Sequence, residues 1–313
     1  MIPYSDRPFG GIYVATLTPF RQDGTIDEAV LAEHFRNVTA EEGIVGVLCN
    51  GHAGESFLLT REERRRVVEI AVEMVGRSHV VVSGVLAEAS AEAALHAEDA
   101  AKAGADAVLV FPPFSWALSQ DDSMAVTHHE LIAAAAKLPV MLYQAGVASA
   151  MAYRPEVLAR LVQLPGVVGI KEGSWESATY DRNRQLVQEI APHVVMMASG
   201  DEHLLSCFAL GSEGSIVSLA ALMPAEIVAL DRAVTRGDLV EARALHARIQ
   251  PLATAIYGLE PSGHATARLK ACLALLGRWP NGATRPPITG VTAGETLLLR
   301  EALAQAGLLA RAW

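Results

Sequence analysis

The sequence predicts an α/β fold: a (β/α)8 TIM barrel followed by a C-terminal helical domain. Short β-branched runs alternate with amphipathic or alanine-rich helical stretches between Gly11 and Val217. Strands separated by helices need right-handed crossovers and a parallel sheet. Eight such runs fit a closed barrel better than an open sheet. Only helical patterns follow Met223, so we expect the barrel over residues 1–237 and the helical domain over residues 238–313.

Each predicted element follows from local periodicity and from its flanking residues. The predicted strands are Gly11–Thr16, Ile44–Cys49, Val80–Val85, Ala107–Phe111, Val140–Tyr143, Val167–Ile170, Val194–Ala198 and Gly214–Val217. Helical patterns between the strands include Asp27–Glu42, Thr60–Met74, Ala91–Ala103 and Arg154–Leu161. The later helices are predicted at Ala225–Thr235, Leu239–Ile256, Ala265–Leu276 and Ala293–Leu308, with prolines as the breaks between them.

The composition excludes several classes of protein. With 51% hydrophobic residues the chain can bury a large core and is too apolar to be disordered. The net charge is −10 and the arginines form no basic stripe, so nucleic acid is not an expected partner.

The cysteines and the N-terminal residues indicate the cellular compartment in which the protein is expected. Cys49, Cys207 and Cys272 are odd in number and widely separated, which indicates reduced, mostly buried thiols. We find no signal-peptide pattern and no apolar run of membrane-spanning length. We therefore expect a cytoplasmic protein with no membrane partner.

One of the four lysines stands out. Lys171 ends the apolar strand run Val167–Ile170, whereas Lys102, Lys137 and Lys270 lie in helical patterns. Lys102 and Lys137 come just before the residues that end their helices, where a cation commonly complements the helix C-terminus. Burial would lower the pKa of Lys171 and make its free amine available as a nucleophile. The alternative is a strand-end lysine whose amine reaches solvent.

Two further strand ends carry polar or glycine-rich residues. Tyr143 closes the fifth strand about one βα unit before Lys171, so both should face the same end of the barrel. Tyr143 is then a candidate for proton transfer, or else a buried tyrosine with a satisfied hydroxyl. After the second strand, Gly51 and Gly54 permit a tight turn whose N–H groups near Ala53 either hold a carboxylate or only serve the turn.

Five motifs occur in order at the predicted strand ends: Gly51–Glu55, Tyr143, Gly169–Glu172, Ser199–Asp201 and Gly211–Ile216. Together they resemble the motifs of the dihydrodipicolinate synthase and N-acetylneuraminate lyase family. The resemblance begins at Thr16–Phe20 and extends to the tail beyond Arg285, so it covers nearly the whole chain.

This resemblance implies a class I lyase that binds pyruvate or another 2-oxo acid as a Schiff base. It implies that Lys171 forms the Schiff base and that Tyr143 transfers protons. It also implies substrate-binding positions at His52, Ala53, Gly200 and Ile216. No metal ion and no organic cofactor are implied, and a homotetramer built from dimers is expected.

Three departures from the synthase pattern concern the second substrate. His52 and Ala53 stand where synthases usually have two threonines, and Phe114 stands where a tyrosine relays protons from the neighbouring subunit. No arginine follows Tyr143 before Arg154, although synthases use one for the aldehyde's carboxylate. We therefore predict that the protein is not an efficient dihydrodipicolinate synthase.

Several roles stay open on sequence alone. His52 either moves protons or fills space. Asp201 and Glu202 either hold substrate hydroxyls, as in the neuraminate lyases, or begin a helix, and the sequence favours the helix start. Phe114 and Trp116 are candidates for an aromatic wall over the mouth.

Three functions remain consistent with the sequence. The first is Schiff-base aldol cleavage or condensation. The second is Schiff-base dehydration or deamination of a 2-oxo-3-deoxy acid or related compound, and the third is a non-catalytic barrel that binds small acids. A metal-dependent aldolase is disfavoured because the ten histidines show no ligand spacing.

Overall fold

The computed structural model describes residues 8–119 and 121–309. Eight parallel strands close into a barrel in chain order, with β8 beside β1. The strands are β1 (Gly11–Ala15), β2 (Ile44–Cys49), β3 (Val80–Val85), β4 (Ala107–Val110), β5 (Val140–Gln144), β6 (Val167–Glu172), β7 (Val195–Ala198) and β8 (Gly214–Val217). The predicted fold class is therefore confirmed, and every predicted strand is present with bounds that differ by at most two residues.

Helices surround the barrel and extend beyond it. Nine helices run up to residue 235: α1 (Glu28–Val38), α2 (Arg61–Val75), α3 (Ser90–Lys102), α4 (Trp116–Ser119), α5 (Asp122–Ala136), α6 (Pro155–Leu161), α7 (Ser177–Ile190), α8 (Leu204–Ala209) and α9 (Pro224–Thr235). Three follow in the C-terminal region: α10 (Leu239–Tyr257), α11 (Ala265–Leu275) and α12 (Ala293–Gln305). None of the helices in the described ranges is both long and apolar enough to span a membrane.

Two differences from the predicted bounds have local causes. The first helix is shorter than Asp27–Glu42 because Asp27 is its N-cap and Thr39 turns its hydroxyl back to the Phe35 carbonyl at 2.8 Å. Strand β6 continues past Ile170 because Lys171 and Glu172 still pair with β5. Lys171 is thus the penultimate residue of the strand.

Two apolar layers hold the barrel together. Side chains that alternate along the strands fill the barrel interior, among them Tyr13, Leu48, Leu109, Met141 and Ile216. The opposite faces pack against the surrounding helices in a larger core. Both faces of every strand are buried, as expected for a parallel barrel, and the side chains at the strand ends are left to form the mouth.

The C-terminal helices pack on one another and on the barrel. α10 contacts α9 and α12, and α11 contacts α12. The predicted domain boundary at residue 237 falls between α9 and α10, and it stays a prediction; residues 1–7 and 310–313 of the predicted domains lie outside the described residues. The three cysteines are buried and unpaired, as expected.

Lys270 is a fully buried cation, which the sequence did not indicate. Its amine forms an ion pair with Glu55, which is also fully buried, and lies 4.0 Å from the centroid of the Phe20 ring. Arg285 contacts the same ring from 4.5 Å. Because Glu55 closes the Gly51–Glu55 loop, this ion pair joins α11 to the mouth of the barrel.

We predict that replacing Lys270 with Met strongly destabilises the protein. The substitution leaves the Glu55 carboxylate buried without its cation, which typically costs about 3–5 kcal/mol in the free energy of unfolding. Lys102→Met is the matched control. Lys102 also forms an ion pair, with Glu98 at 3.3 Å, but its side chain is 70% exposed. Exposed pairs contribute at most about 1 kcal/mol. Denaturant unfolding measures both variants, and equal losses would contradict the prediction.

Candidate active site

The register between β5 and β6 brings Tyr143 and Lys171 together. The two residues are direct neighbours in this parallel pair, and the Lys171 Nζ lies 5.7 Å from the centroid of the Tyr143 ring. Lys171 alternates with Glu172, whose carboxylate accepts hydrogen bonds from Ser174 and from Asn183 on α7. The lysine therefore faces the mouth while the glutamate faces the helical layer.

The environment of Lys171 favours a neutral amine. The residue is only 9% exposed. Burial lowers the pKa of its amine to about 8, and the negative charge of Asp201 opposes this shift. With that pKa, about a tenth of the amine is neutral at pH 7, far more than for a solvated lysine.

The hydroxyl of Tyr143, unlike the amine of Lys171, is held in its protonated form. Burial, followed by the negative charges of Glu172 and Asp201, raises the pKa of its hydroxyl to about 12. The phenol is therefore protonated at neutral pH and can donate a proton or a hydrogen bond. Its ring packs with the apolar residues of the barrel interior.

The loop after β2 is tightly turned, as its glycines predict. Asn50 and Glu55 both adopt left-handed backbone conformations with φ of 54°. Gly84 on β3 allows this turn to approach, because a Cβ at that position would lie 2.2 Å from the Asn50 carbonyl oxygen. Among the described residues, the N–H groups of His52 and Ala53 meet no acceptor, so they are available to a ligand.

His52 stacks among aromatic rings. Its imidazole centroid lies 4.3 Å from that of Phe111 and 5.3 Å from that of Tyr143. Neighbouring protein atoms, and then the positive charge of Lys171, lower the pKa of the His52 imidazole, but the residue is exposed and solvent opposes this shift. The imidazole is therefore neutral at pH 7 and is a weak base.

The other predicted substrate-binding positions lie at neighbouring strand ends. Ala53 and Ile216 belong to the same interior cluster as Tyr143, and Ile216 pairs with Tyr13 across β8 and β1. Gly200 is buried just after β7. The binding roles of these residues stay predictions.

Asp201 lies deeper in the site than the sequence indicated. Helix α8 begins at Leu204 with His203 as its N-cap, so the helix-start interpretation of Asp201 is wrong. The buried Asp201 carboxylate instead accepts hydrogen bonds from the Leu219 N–H at 2.7 Å and from the Tyr257 hydroxyl at 2.9 Å. Burial raises its pKa to about 6. The contribution of Tyr257 had no signal in the sequence, because it depends on how α10 packs.

The predicted aromatic wall is also corrected. Trp116 is completely buried, with its ring edge-on to Tyr153 at 5.4 Å, so it cannot line the mouth. Phe114 is 55% exposed, and its N–H donates to the Glu88 carboxylate. The aromatic residue beside His52 and Tyr143 is Phe111, at the end of β4.

The closed barrel, with Lys171, Tyr143 and Asp201 at the carboxyl ends of its strands, has the architecture of a (β/α)8-barrel enzyme. The model of the dihydrodipicolinate synthetase family matches residues 8–306. The chain belongs to this family, and it is a lyase of that family.

Named relatives match most or nearly all of the chain. An uncharacterized DapA-like lyase of Halobacterium salinarum is 32% identical, covering 98% of both chains. A 4-hydroxy-tetrahydrodipicolinate synthase of Methanothrix thermoacetophila is 33% identical over 80% of this chain and 82% of its own.

Solved structures of the family share the fold. YagE, a prophage protein from E. coli K12 whose structure was solved in complex with pyruvate, superposes with a TM-score of 0.89 at 25% identity, covering 96% of this chain and 99% of its own. A monomeric dihydrodipicolinate synthase variant gives a TM-score of 0.87 at 26% identity, over 96% of this chain and 98% of its own.

Proposed function

We propose that the protein is a class I lyase that forms a Schiff base between Lys171 and pyruvate or another 2-oxo acid, and that it catalyses aldol cleavage or condensation. The observation that carries the proposal is the buried Lys171 amine, with its lowered pKa, beside Tyr143 on the neighbouring strand. Family membership supports it, as does the related structure solved with pyruvate.

The first covalent step follows from the chemistry of the amine. The neutral nitrogen of Lys171 attacks the C2 carbonyl carbon of the 2-oxo acid and forms a carbinolamine. Tyr143 protonates the departing hydroxyl, which leaves as water, and an iminium remains. In this proposal, the N–H groups of His52 and Ala53 in the loop after β2 hold the carboxylate of the 2-oxo acid.

The iminium then acts as the electron sink for the carbon–carbon bond. In cleavage, the Tyr143 phenolate takes the proton of the C4 hydroxyl, the C3–C4 bond breaks and the aldehyde departs. The electron pair of that bond forms a C2–C3 double bond, and the π electrons of the iminium return to the Lys171 nitrogen, which gives an enamine. The enamine takes a proton at C3, and water hydrolyses the iminium to release the 2-oxo acid and the free amine. Condensation is the reverse sequence.

The mouth lacks the groups that a dihydrodipicolinate synthase uses for its second substrate. Phe114 has no hydroxyl for a proton relay. Arg154, the first arginine after Tyr143, is engaged by the Asp122 carboxylate at the start of α5. Losing a charge-assisted partner for a buried carboxylate costs roughly 2–5 kcal/mol, so we propose a different aldehyde.

The expected assembly and compartment are part of the same proposal. We propose a homotetramer built from dimers, acting in the cytoplasm on a small 2-oxo acid without a metal ion or an organic cofactor.

The central prediction is a covalent adduct on Lys171. Incubation with pyruvate followed by borohydride reduction should add one reduced pyruvate unit, which intact mass and peptide mapping detect on Lys171. Lys171→Arg should abolish the adduct, while the exposed Lys102 should stay unmodified in both proteins. A panel of other 2-oxo acids identifies the preferred one. If no 2-oxo acid gives an adduct, the non-catalytic alternative is correct.

A second prediction separates the roles of Tyr143 and His52. Exchange of the pyruvate methyl protons with deuterated solvent reports iminium and enamine formation without a second substrate. Tyr143→Phe should slow this exchange by about 10²–10⁴-fold, the usual contribution of a proton-transfer residue. His52→Asn should slow it by less than about tenfold, because its neutral imidazole is a weak base. Equal losses in the two variants would assign proton transfer to His52 as well.

A third prediction concerns the synthase activity itself. Condensation of pyruvate with aspartate semialdehyde should proceed with a kcat/KM below about 10⁴ M⁻¹s⁻¹, the lower end for efficient enzymes. A coupled spectrophotometric assay measures it, with a dedicated dihydrodipicolinate synthase as the positive control. A kcat/KM equal to that of the control would overturn the substrate assignment.

A further inference from the structure

Two barrel loops and one C-terminal helix meet at the Asp201 carboxylate, and a third loop packs against the helix. Asp201 follows β7, while Ser218 and Leu219 follow β8. Tyr257 is the last residue of α10. The indole of Trp175, from the loop after β6, packs edge-on against the Tyr257 ring with centroids 5.7 Å apart. The C-terminal region therefore reaches the strand ends that surround Lys171.

The donor and the acceptor of each hydrogen bond at this junction can be assigned. The Tyr257 hydroxyl lies 2.9 Å from the Asp201 Oδ1 and 2.7 Å from the Ser218 Oγ. A phenol has only one proton to donate, and a carboxylate can only accept. Tyr257 therefore donates to Asp201, and Ser218 donates to Tyr257.

This arrangement favours the charged form of the carboxylate. The Asp201 Oδ1 also accepts the Leu219 N–H at 2.7 Å, so two donors converge on one oxygen inside the protein. Hydrogen bonds to the charged form of an acid stabilise it against the cost of burial. Asp201 is 5% exposed, so without these donors burial would favour its protonated form.

We propose that Tyr257, supported by Ser218, is a positioning residue of the active site: it holds Asp201 as an anion that stabilises the positive charge on the Lys171 nitrogen when the iminium forms. This proposal rests on the proposed Schiff-base function and adds a residue of the C-terminal region to it.

The physical need for such an anion comes from the reaction. A neutral amine and a neutral ketone group combine into a cationic iminium inside a site from which water is largely excluded. A fixed negative charge near the nitrogen stabilises that cation without reorganisation of solvent. Lys171 pairs with Met197 on β7, and Asp201 lies just after that strand, where its negative charge opposes the lowering of the Lys171 pKa.

Few other titratable groups face Lys171 and Asp201. Lys171 is faced by His52 from the β2 loop, by Tyr143 from β5 and by Asp201 from the β7 loop. Asp201 is faced by Lys171, by Tyr143 from β5 and by Tyr257 from α10. Because His52 also faces Lys171, a loss of activity near pH 6 is assigned to Asp201 only if Asp201→Asn removes it and His52→Asn retains it.

The test uses the pH dependence of methyl proton exchange at saturating pyruvate. Wild-type exchange should fall on acidification with a midpoint near the Asp201 pKa of about 6. Tyr257→Phe removes one donor from the carboxylate and should raise this midpoint by about one pH unit. Ser218→Ala should raise it by less. Asp201→Asn should remove the fall of the exchange rate on acidification and leave a slow rate that does not depend on pH.

Tyr153→Phe is the matched control. It also removes a buried tyrosine hydroxyl, and its ring packs against Trp116, away from this junction. Its midpoint should equal that of the wild type. If Tyr257→Phe also has the wild-type midpoint, or lowers the rate by one factor at every pH, the positioning role is wrong. If the wild-type protein neither exchanges nor traps pyruvate, the proposed Schiff-base function itself fails.

Discussion

The parallel register between β5 and β6 is the constraint on which the site depends. Side chains alternate between the two faces of a strand, so a slip of one residue would exchange the positions of Lys171 and Glu172. The glutamate would then face the mouth, and the lysine would meet the carboxylate-binding groups Ser174 and Asn183. The register is maintained on both sides, because Lys171 pairs with Tyr143 on β5 and with Met197 on β7.

The buried amine makes the folded state less stable, and the rest of the fold has to offset this cost. Lowering the Lys171 pKa from 10.5 to about 8 corresponds to about 3 kcal/mol of stability. The unfolded chain binds the extra proton between these two values, so the full cost applies below pH 8 and disappears above pH 10.5. The packed barrel interior and the helical layer supply the burial that makes this possible. The proposed nucleophilic role of the amine depends on the same burial, so stability and the proposed function are opposed at this residue.

Local patterns in the sequence are sufficient for the barrel and for the pairing of Tyr143 with Lys171. Both depend on short-range periodicity and on the common direction of parallel strands, which one chain reveals. Asp201, Trp116 and Lys270 were assigned differently because their environments are set by distant segments. Asp201 meets Tyr257, and Lys270 meets Glu55, only after the C-terminal helices have packed on the barrel. Periodicity reports which face of a helix is buried, but it does not report which partner a buried charge meets.

The two halves of the proposed reaction have separate structural bases. The groups for the first covalent step lie on the strands themselves or directly at their ends, where the hydrogen-bonded barrel restricts their movement. The positions that differ from the synthase pattern, Phe114 and the residues between Tyr143 and Arg154, lie in loops that follow β4 and β5. Loops tolerate substitution because few buried contacts depend on them. A change of second substrate therefore leaves the Schiff-base step intact, and the identity of that substrate depends on the loops rather than on Lys171.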